Sequence, residues 1–484
     1  MGESRQARIE ETRREVGWAY DEMRWLSEEQ AREAERERRE LLARLDGWVS
    51  VGFAGTKLHA GPLSPGCRIC GEGTWGCHFV TRRCNTHCFY CPDSGATHSG
   101  RAGTPDLSLG PAHASQPEHL RQTRRSAEPD DLPQTAGWVL RTPEEHVRFI
   151  AAFGIRGVGF TGGEPLLLPD AVLAHIRAIR QAFGSSIYLW LYTNGILADD
   201  PTLARLKDAG LDEIRFDIAA CGYDLTPVAR AVRHIPAVTI EIPAIPQDFD
   251  VVAQLLPEIQ RIGVAHLNLH QLIAGPHNYA ALQRLGYHFL HQPLVPVMES
   301  EPCALRLLLA ARERGLSLPI NYCCSAYKSR FQPRGDRLQA SRVARRGHEE
   351  VTDTGYLRSF VVSGPPDSIP TAIARFRDAG FSPELWALDA GRAQVIVHSR
   401  LLPYVDWEST RVEIRYSEPR LRPKDPAGEF SEQNLMNASA IVCQQGGWDR
   451  TTFERWSQRI SSEGGPAAAL SRWEELEAGL PEIC

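Results

Sequence analysis

From Thr142 to Leu272 short apolar runs alternate with amphipathic stretches, and this alternation restricts the fold more than any other feature of the chain. Thr142-Pro143-Glu-Glu-His opens a helix, with Thr142 as N-cap and Pro143 at the first helical position. Strand-like runs follow at Gly157–Thr161, Ile187–Thr193, Glu213–Asp217, Val238–Ile242 and His266–Leu272. Helical stretches separate them at Asp170–Phe183, Pro201–Ala209, Leu225–His234 and Phe249–Ile262. Strands and helices that alternate across short turns build a parallel sheet with right-handed crossovers.

The chemistry-bearing residues lie at the edges of this pattern. Cys84-Asn-Thr-His-Cys88-Phe-Tyr-Cys91-Pro sets three thiols at spacings of four and three positions. Three thiolates leave a tetrahedral zinc site one ligand short. They can instead hold three corners of a [4Fe–4S] cube and leave one iron open for a substrate. The run Gly157–Thr161 ends in Gly162-Gly163-Glu164-Pro165. There the glycines allow close backbone approach and the carboxylate suits an ammonium. A third run, Ile187-Tyr-Leu-Trp-Leu-Tyr-Thr193-Asn194-Gly195, again ends in a polar turn.

In this order the three stretches resemble the radical S-adenosylmethionine (radical SAM) superfamily. The resemblance implies an α/β fold, a partial (β/α)6 barrel. It also implies that Cys84, Cys88 and Cys91 carry the [4Fe–4S] cluster, with Tyr90 as the aromatic before the last Cys. S-adenosylmethionine then binds the open iron, with Gly162, Gly163 and Glu164 at its amino group and Thr193 and Asn194 near the ribose. Strand C-terminal ends face the active site in such barrels, which adds Asp217, His270 and Gln271 to the candidates. The implied reaction is one-electron cleavage of S-adenosylmethionine to a 5′-deoxyadenosyl radical, which takes hydrogen from a small molecule or peptide. A flavodoxin- or ferredoxin-like partner supplies the electron. Looser similarity links Ala209–Asp217, His266–Leu272 and Ile320–Gln332 to proteins related to pyruvate formate-lyase activating enzymes. Competing readings are an RNA- or protein-modifying enzyme of the same superfamily, and a zinc or iron–sulfur protein without catalysis.

A second cysteine group precedes the first. Cys67-Arg-Ile-Cys70 has the knuckle spacing of metal sites, and Cys77 follows in a Gly-rich context. With Cys323 as fourth ligand, or less well Cys303, these form an auxiliary iron–sulfur or zinc site; the alternative is buried structural thiols. Cys323 and Cys324 are also candidate hydrogen-atom donors to a substrate radical. For Arg215 with Asp217, a pocket contact and an ion pair at the sheet end stand equal.

The chain then divides into a helical segment at 1–48, the Cys/Gly-rich stretch at 49–83, the barrel at 84–333 and a small α+β domain at 351–484. A Ser-, Pro- and Gly-rich mobile insertion is expected at 93–134. A linker is expected at Arg334–Glu350, and Trp448, Phe453, Trp456 and Trp473 are expected to pack the C-terminal part. The net charge of −6 argues against nucleic acid as a general partner. No apolar run approaches the length of a membrane span, and the N-terminus lacks the apolar core of a signal peptide, which together imply a cytoplasmic protein. In a reducing compartment, 12 cysteines point to metal or catalysis rather than to disulfides.

Overall fold

The computed structural model describes residues 5–91, 97–98, 134–135, 138–275, 277–389, 391–420 and 439–462. The expected insertion at 93–134 lies outside the described residues, apart from the short strand Thr97–His98 and residue 134. The chain forms two units, Glu3–Gln332 and Pro333–Cys484, the latter grouped with Met1–Gly2.

The first unit starts with α1 (Arg5–Val16), a short 3-10 turn and α2 (Glu28–Leu45). A capping box between Ser27 and Gln30 starts α2. Next come the hairpin β1 (Ser50–Gly52) and β2 (Lys57–Ala60), then α3 (Pro65–Glu72) and β3 (Trp75–Thr81). The alternation continues through α4 (Pro143–Phe153), β4 (Gly157–Gly162), α5 (Pro169–Phe183), β5 (Tyr188–Thr193), α6 (Asp200–Ala209) and β6 (Glu213–Phe216). It ends with α7 (Thr226–Ala231), β7 (Ala237–Pro243), α8 (Phe249–Arg261), β8 (His266–His270), α9 (Tyr279–Arg284), α10 (Ser300–Glu313), β9 (Ile320–Cys323) and α11 (Ser325–Ala344).

Strands β3 to β9 pair in chain order and all run parallel. Their apolar side chains Val158, Phe160, Leu189, Leu191, Ile214, Ile240, Leu267 and Leu269 are all fully buried. The hairpin extends this sheet, because β2 pairs antiparallel with β9 and places Lys57 opposite Cys323. Beyond β3, the short strands Gln134–Thr135 and Trp138–Val139 complete an eleven-stranded sheet. The fold is thus an α/β partial barrel, with α2 lying along α10 through the ion pairs Arg38–Glu301 at 3.2 Å and Arg44–Glu313 at 2.7 Å. No helix among the described residues is long and apolar enough to cross a membrane.

Helix boundaries follow local chemistry. Thr142 and Glu145 form a capping box at the start of α4, with Pro143 in its first turn, and Gly154 ends the helix in the left-handed region. The stretch 49–83 is a hairpin, a helix and the first parallel strand rather than a loop, because Ser64 and Pro65 start α3 and Trp75–Thr81 alternates like a strand. The expected linker at Arg334–Glu350 is in large part the second half of α11, which runs to Ala344 through Pro333.

The second unit carries a six-stranded antiparallel sheet. Its main strands are β10 (Leu357–Ser363), β11 (Trp386–Asp389), β12 (Gln394–Val397), β13 (Arg411–Arg420) and β14 (Ser439–Trp448), in the order β11-β12-β10-β13-β14. Helices α12 (Ser368–Asp378) and α13 (Arg450–Ser462) belong to this unit, and Phe360, Phe376, Leu402, Tyr416 and Trp456 form its core. Residues 439–448 form a strand of this sheet, within the expected α+β domain. Trp473 and the side chain of Trp448 lie outside the described residues.

Candidate active site

The C-terminal ends of the parallel strands enclose a cavity of about 280 Å³. Cys84, Cys88 and Cys91 line it, together with Gly162, Gly163, Glu164, Thr193, Asn194, Asp217 and Gln271. Sequence positions spread over some 190 residues therefore meet in one place, because each follows a strand of the same sheet or the loop that leaves β3.

The cysteine loop is held at several points. The Thr86 hydroxyl lies 3.3 Å from the Cys84 sulfur and 3.6 Å from that of Cys88. The Cys91 amide donates to the Cys88 carbonyl at 3.1 Å. His277 reaches the Cys91 carbonyl at 2.8 Å, and the Asn194 side-chain amide donates to the Asn85 side chain at 2.6 Å. Burial raises the thiol pKa of Cys84 and, more strongly, that of Cys88, where the Asp217 carboxylate adds to the effect. Around one zinc ion thiolates stand about 3.8 Å apart, given Zn–S bonds of about 2.3 Å. The three thiols do not gather that closely: among the described residues the only trio of ligand atoms within 4.8 Å of one another belongs to three histidines. Wider spacing of three thiols round an open cavity fits a cluster better than a single ion.

Glu164 joins the motifs together. Its amide donates to the Arg83 carbonyl at 2.8 Å, and the Gly163 amide to that of Thr81 at 2.7 Å. Its carboxylate accepts the Thr193 hydroxyl at 2.8 Å, the Asn194 amide at 2.8 Å and the Leu166 amide at 3.0 Å. Burial pushes this carboxyl up to about 7, against the opposing pull of those hydrogen bonds. Thr193 and Asn194 thus spend much of their hydrogen-bonding capacity on Glu164 and Asn85, while still lining the cavity.

A close approach makes glycine necessary here. A Cβ on Gly163 would stand 2.1 Å from the Arg83 carbonyl oxygen, a backbone atom adjoining Cys84. Gly163→Ala is therefore expected to destabilise the chain by roughly 1–3 kcal/mol, the range for overpacked sites, and to displace the cysteine loop. Urea unfolding together with iron content after cluster reconstitution measures both effects; an unchanged midpoint with full iron would refute the close-packing argument.

Asp217, at the end of β6, faces Tyr90, whose hydroxyl lies 3.2 and 3.1 Å from the two carboxylate oxygens. Burial pushes Asp217 up to about 7, and the Tyr90 hydroxyl and two backbone amides hold it down. Arg215 does not pair with Asp217. It contacts Glu213 at 3.0 Å, Glu241 at 2.8 Å and the Ser64 hydroxyl at 3.1 Å, with its side chain 4% exposed. The Glu241 carboxyl is disfavoured as an anion by burial, yet Arg215 and then His270 hold it well below the usual carboxylate range. His270 lies 2.7 Å from Glu241, but burial and nearby Lys328 keep the imidazole pKa low. That contact is thus read as a neutral imidazole N–H donating to a carboxylate. Gln271 accepts the Ser325 amide at 2.9 Å, and Lys328 joins the lining from α11.

The second cysteine group is arranged otherwise than its spacing suggests. Cys67 and Cys70 lie on α3, Cys77 on β3 and Cys323 on β9. The Lys57 ammonium sits 3.7 Å from the Cys323 sulfur, over the Tyr327 ring, with Cys67 and Cys70 close enough to act on its charge. Asn268 donates to Cys67 at 3.5 Å and Tyr327 to Cys70 at 3.6 Å. A buried ammonium repels a bare metal cation, and among the described residues no trio of ligand atoms from this group lies within 4.8 Å of one another. Cys323 and Cys324 do not line the cavity; the Cys324 thiol donates to the Thr56 carbonyl at 3.0 Å. Cys303 is buried against the Ile245 carbonyl.

Sequence reasoning missed Thr86, Asn85, Glu241, Lys57 and His277. Thr86 sits inside the cysteine motif, where a hydroxyl between thiols was a readable signal. Lys57 and His277 carried none, because their partners are distant in sequence.

Comparisons with known proteins accord with this geometry. Over 305 residues the chain is 27% identical to a Methanocaldococcus jannaschii protein named, provisionally, as a glycyl-radical enzyme activating enzyme, covering 61% of this chain and 72% of that one. It is 32% identical over 141 residues to the GTP 3′,8-cyclase of Corynebacterium glutamicum, covering 29% of each. It is also 28% identical over 215 residues to the PqqA peptide cyclase of Gluconobacter oxydans, covering 43% of this chain and 56% of that enzyme. The family model of the radical SAM superfamily matches residues 79–244, the span that runs from β3 through the cysteine loop to the end of β7. Motifs, sheet and relatives agree that residues 79–244 form a radical SAM domain.

Proposed function

We propose that Cys84, Cys88 and Cys91 hold a [4Fe–4S] cluster and that S-adenosylmethionine occupies the adjoining cavity for reductive cleavage. The observation that carries this reading is the convergence of the three thiols, the Gly162–Glu164 turn and the Thr193–Asn194 turn on one cavity. When bound, such a cluster supplies one electron to the sulfonium and so generates a 5′-deoxyadenosyl radical. The chain's own residues bind, orient and shield. Gly163 and Glu164 present the end of β4 to an ammonium group, with Tyr90 and Asp217 alongside. Arg215 and Glu241 satisfy each other and give the deeper lining its polar but nearly neutral character. A reduced flavodoxin- or ferredoxin-like protein is the proposed electron donor. The hydrogen donor is a small molecule or a peptide; names among the relatives include both a nucleotide cyclase and a peptide cyclase.

The test is direct. Protein reconstituted anaerobically with iron and sulfide, then given dithionite and S-adenosylmethionine, is expected to be brown and to form 5′-deoxyadenosine. Colourless protein that binds zinc at the cysteine loop and forms none would establish the non-catalytic reading instead.

Glu164 gives this reading a pH signature. Its carboxyl, raised to about 7, is largely protonated below neutrality. An ammonium placed beside it favours the carboxylate, so binding of S-adenosylmethionine expels a proton. The release is expected to approach one proton at about pH 6 and to fade by about pH 8. Calorimetry in buffers of different ionisation enthalpy reads it, and Glu164→Gln should remove it. Binding heats that do not depend on the buffer at low pH would rule out this placement.

A further inference from the structure

Behind the sheet, on the face away from the cavity, three imidazoles converge. His78 comes from β3, His146 from α4 and His175 from α5. They are 0%, 1% and 4% exposed. Each offers a ring nitrogen within 4.8 Å of the other two, and the Nδ1 atoms of His146 and His175 are 3.1 Å apart. Around a tetrahedral zinc ion with Zn–N bonds of about 2.0–2.1 Å, nitrogens stand about 3.3 Å apart. The rings of His78 and His146 stack at 4.4 Å between centroids, and the edge of Phe160 closes one side at 5.9 Å from His78.

Burial, and then the neighbouring imidazoles, hold His78 and His146 well below the ordinary imidazole range. Burial brings His175 down to about 4, with Glu144 and Glu145 acting the other way. All three rings are therefore neutral at pH 7, the state in which an imidazole donates a lone pair to a metal. Apolar side chains would fill such a place without the desolvation cost of several ring nitrogens. The field of Glu144 and Glu145, which reaches His175, favours positive charge there and so offsets part of the cost of a buried divalent ion.

We infer that His78, His146 and His175 form a zinc site, distinct from the iron–sulfur chemistry, in which three imidazoles from three elements bind one ion with a fourth position for water. Imidazole ligands favour zinc over the hard cations that oxygen donors select. The site ties β3, which leads into the cysteine loop, to the two helices that flank β4 and its Gly162–Glu164 turn. It is a structural staple, and it joins positions far apart in the chain, where an added tie limits the unfolded state most.

The experiment uses the full chain with its cluster reconstituted. The protein is incubated with equimolar zinc chloride and desalted; metal is then counted, and X-ray absorption is recorded at the zinc edge, separate from that of iron. The site is expected to retain stoichiometric zinc with a nitrogen or oxygen shell at about 2.0–2.1 Å. His146→Gln and His175→Gln should each lower retained zinc about tenfold or more, while a Cys67→Ala/Cys70→Ala variant keeps it. Folded wild-type protein that retains no zinc, a sulfur shell at about 2.3 Å, or full retention in both histidine variants would each overturn the proposal.

Discussion

Replacing Cys88 by alanine is expected to bring 5′-deoxyadenosine formation down to the protein-free background. The Cys88 thiol is half-buried, with the Thr86 hydroxyl 3.6 Å from its sulfur and Asp217 near enough to raise its pKa further. The loop offers three thiols and no fourth: Thr86 is a neutral hydroxyl, and the Cys91 carbonyl is engaged by His277. Loss of an outer partner of a metal ligand already weakens metal sites by about 10–100-fold, and loss of the ligand itself should exceed that. Iron content should fall in parallel, while the unfolding midpoint changes little because the thiol fills no large volume. Undiminished product from the alanine variant would remove Cys88 from the cluster and sink the proposed function.

Arg215→Met should produce the largest loss of stability, roughly 3–5 kcal/mol at pH 8. The guanidinium is the shared partner of Glu213, 0% exposed in its side chain, and of Glu241, at 12%. Its removal leaves both carboxylates in a low dielectric without compensation, and the Trp190 and Tyr192 rings beneath the guanidinium lose a cation. The pH dependence identifies the cause. In the native chain Arg215 and His270 keep Glu241 ionised, a contribution present above the ordinary carboxylate pKa and lost as pH falls through its lowered value. In the variant burial acts unopposed by Arg215 and raises Glu241, so the folded state gains protons as pH falls. The gap between the two proteins should narrow between about pH 8 and pH 5. Denaturant titrations at both pH values test this; a gap independent of pH would point to lost packing rather than to buried charge.

The fold was legible where one residue type carried one physical requirement. Thr142 with Pro143 marked a helix start, the runs at 157–161 and 187–193 were apolar enough to be read as buried strands, and Ile214 and Phe216 gave 213–217 the alternation of a strand. The cysteine loop and the Gly162–Glu164 turn were readable because their spacing is local. Partners set by tertiary pairing were not. Lys57 meets Cys323 only because β2 pairs antiparallel with β9, so the ammonium close to Cys67 and Cys70, one turn apart on α3, could not be read from their spacing. Arg215 and Asp217, two positions apart on one strand end, turned out to serve different partners. The three histidines gave no motif, since 68 and 29 positions separate successive members.

The lacing of the cavity wall by Glu164 has an entropic meaning. Arg83, Thr193, Asn194 and Asn85 are joined by short hydrogen bonds before any ligand arrives. The freedom of those turns is therefore surrendered while the chain folds, not at the moment of encounter. At these turns a visiting molecule meets a prepared surface.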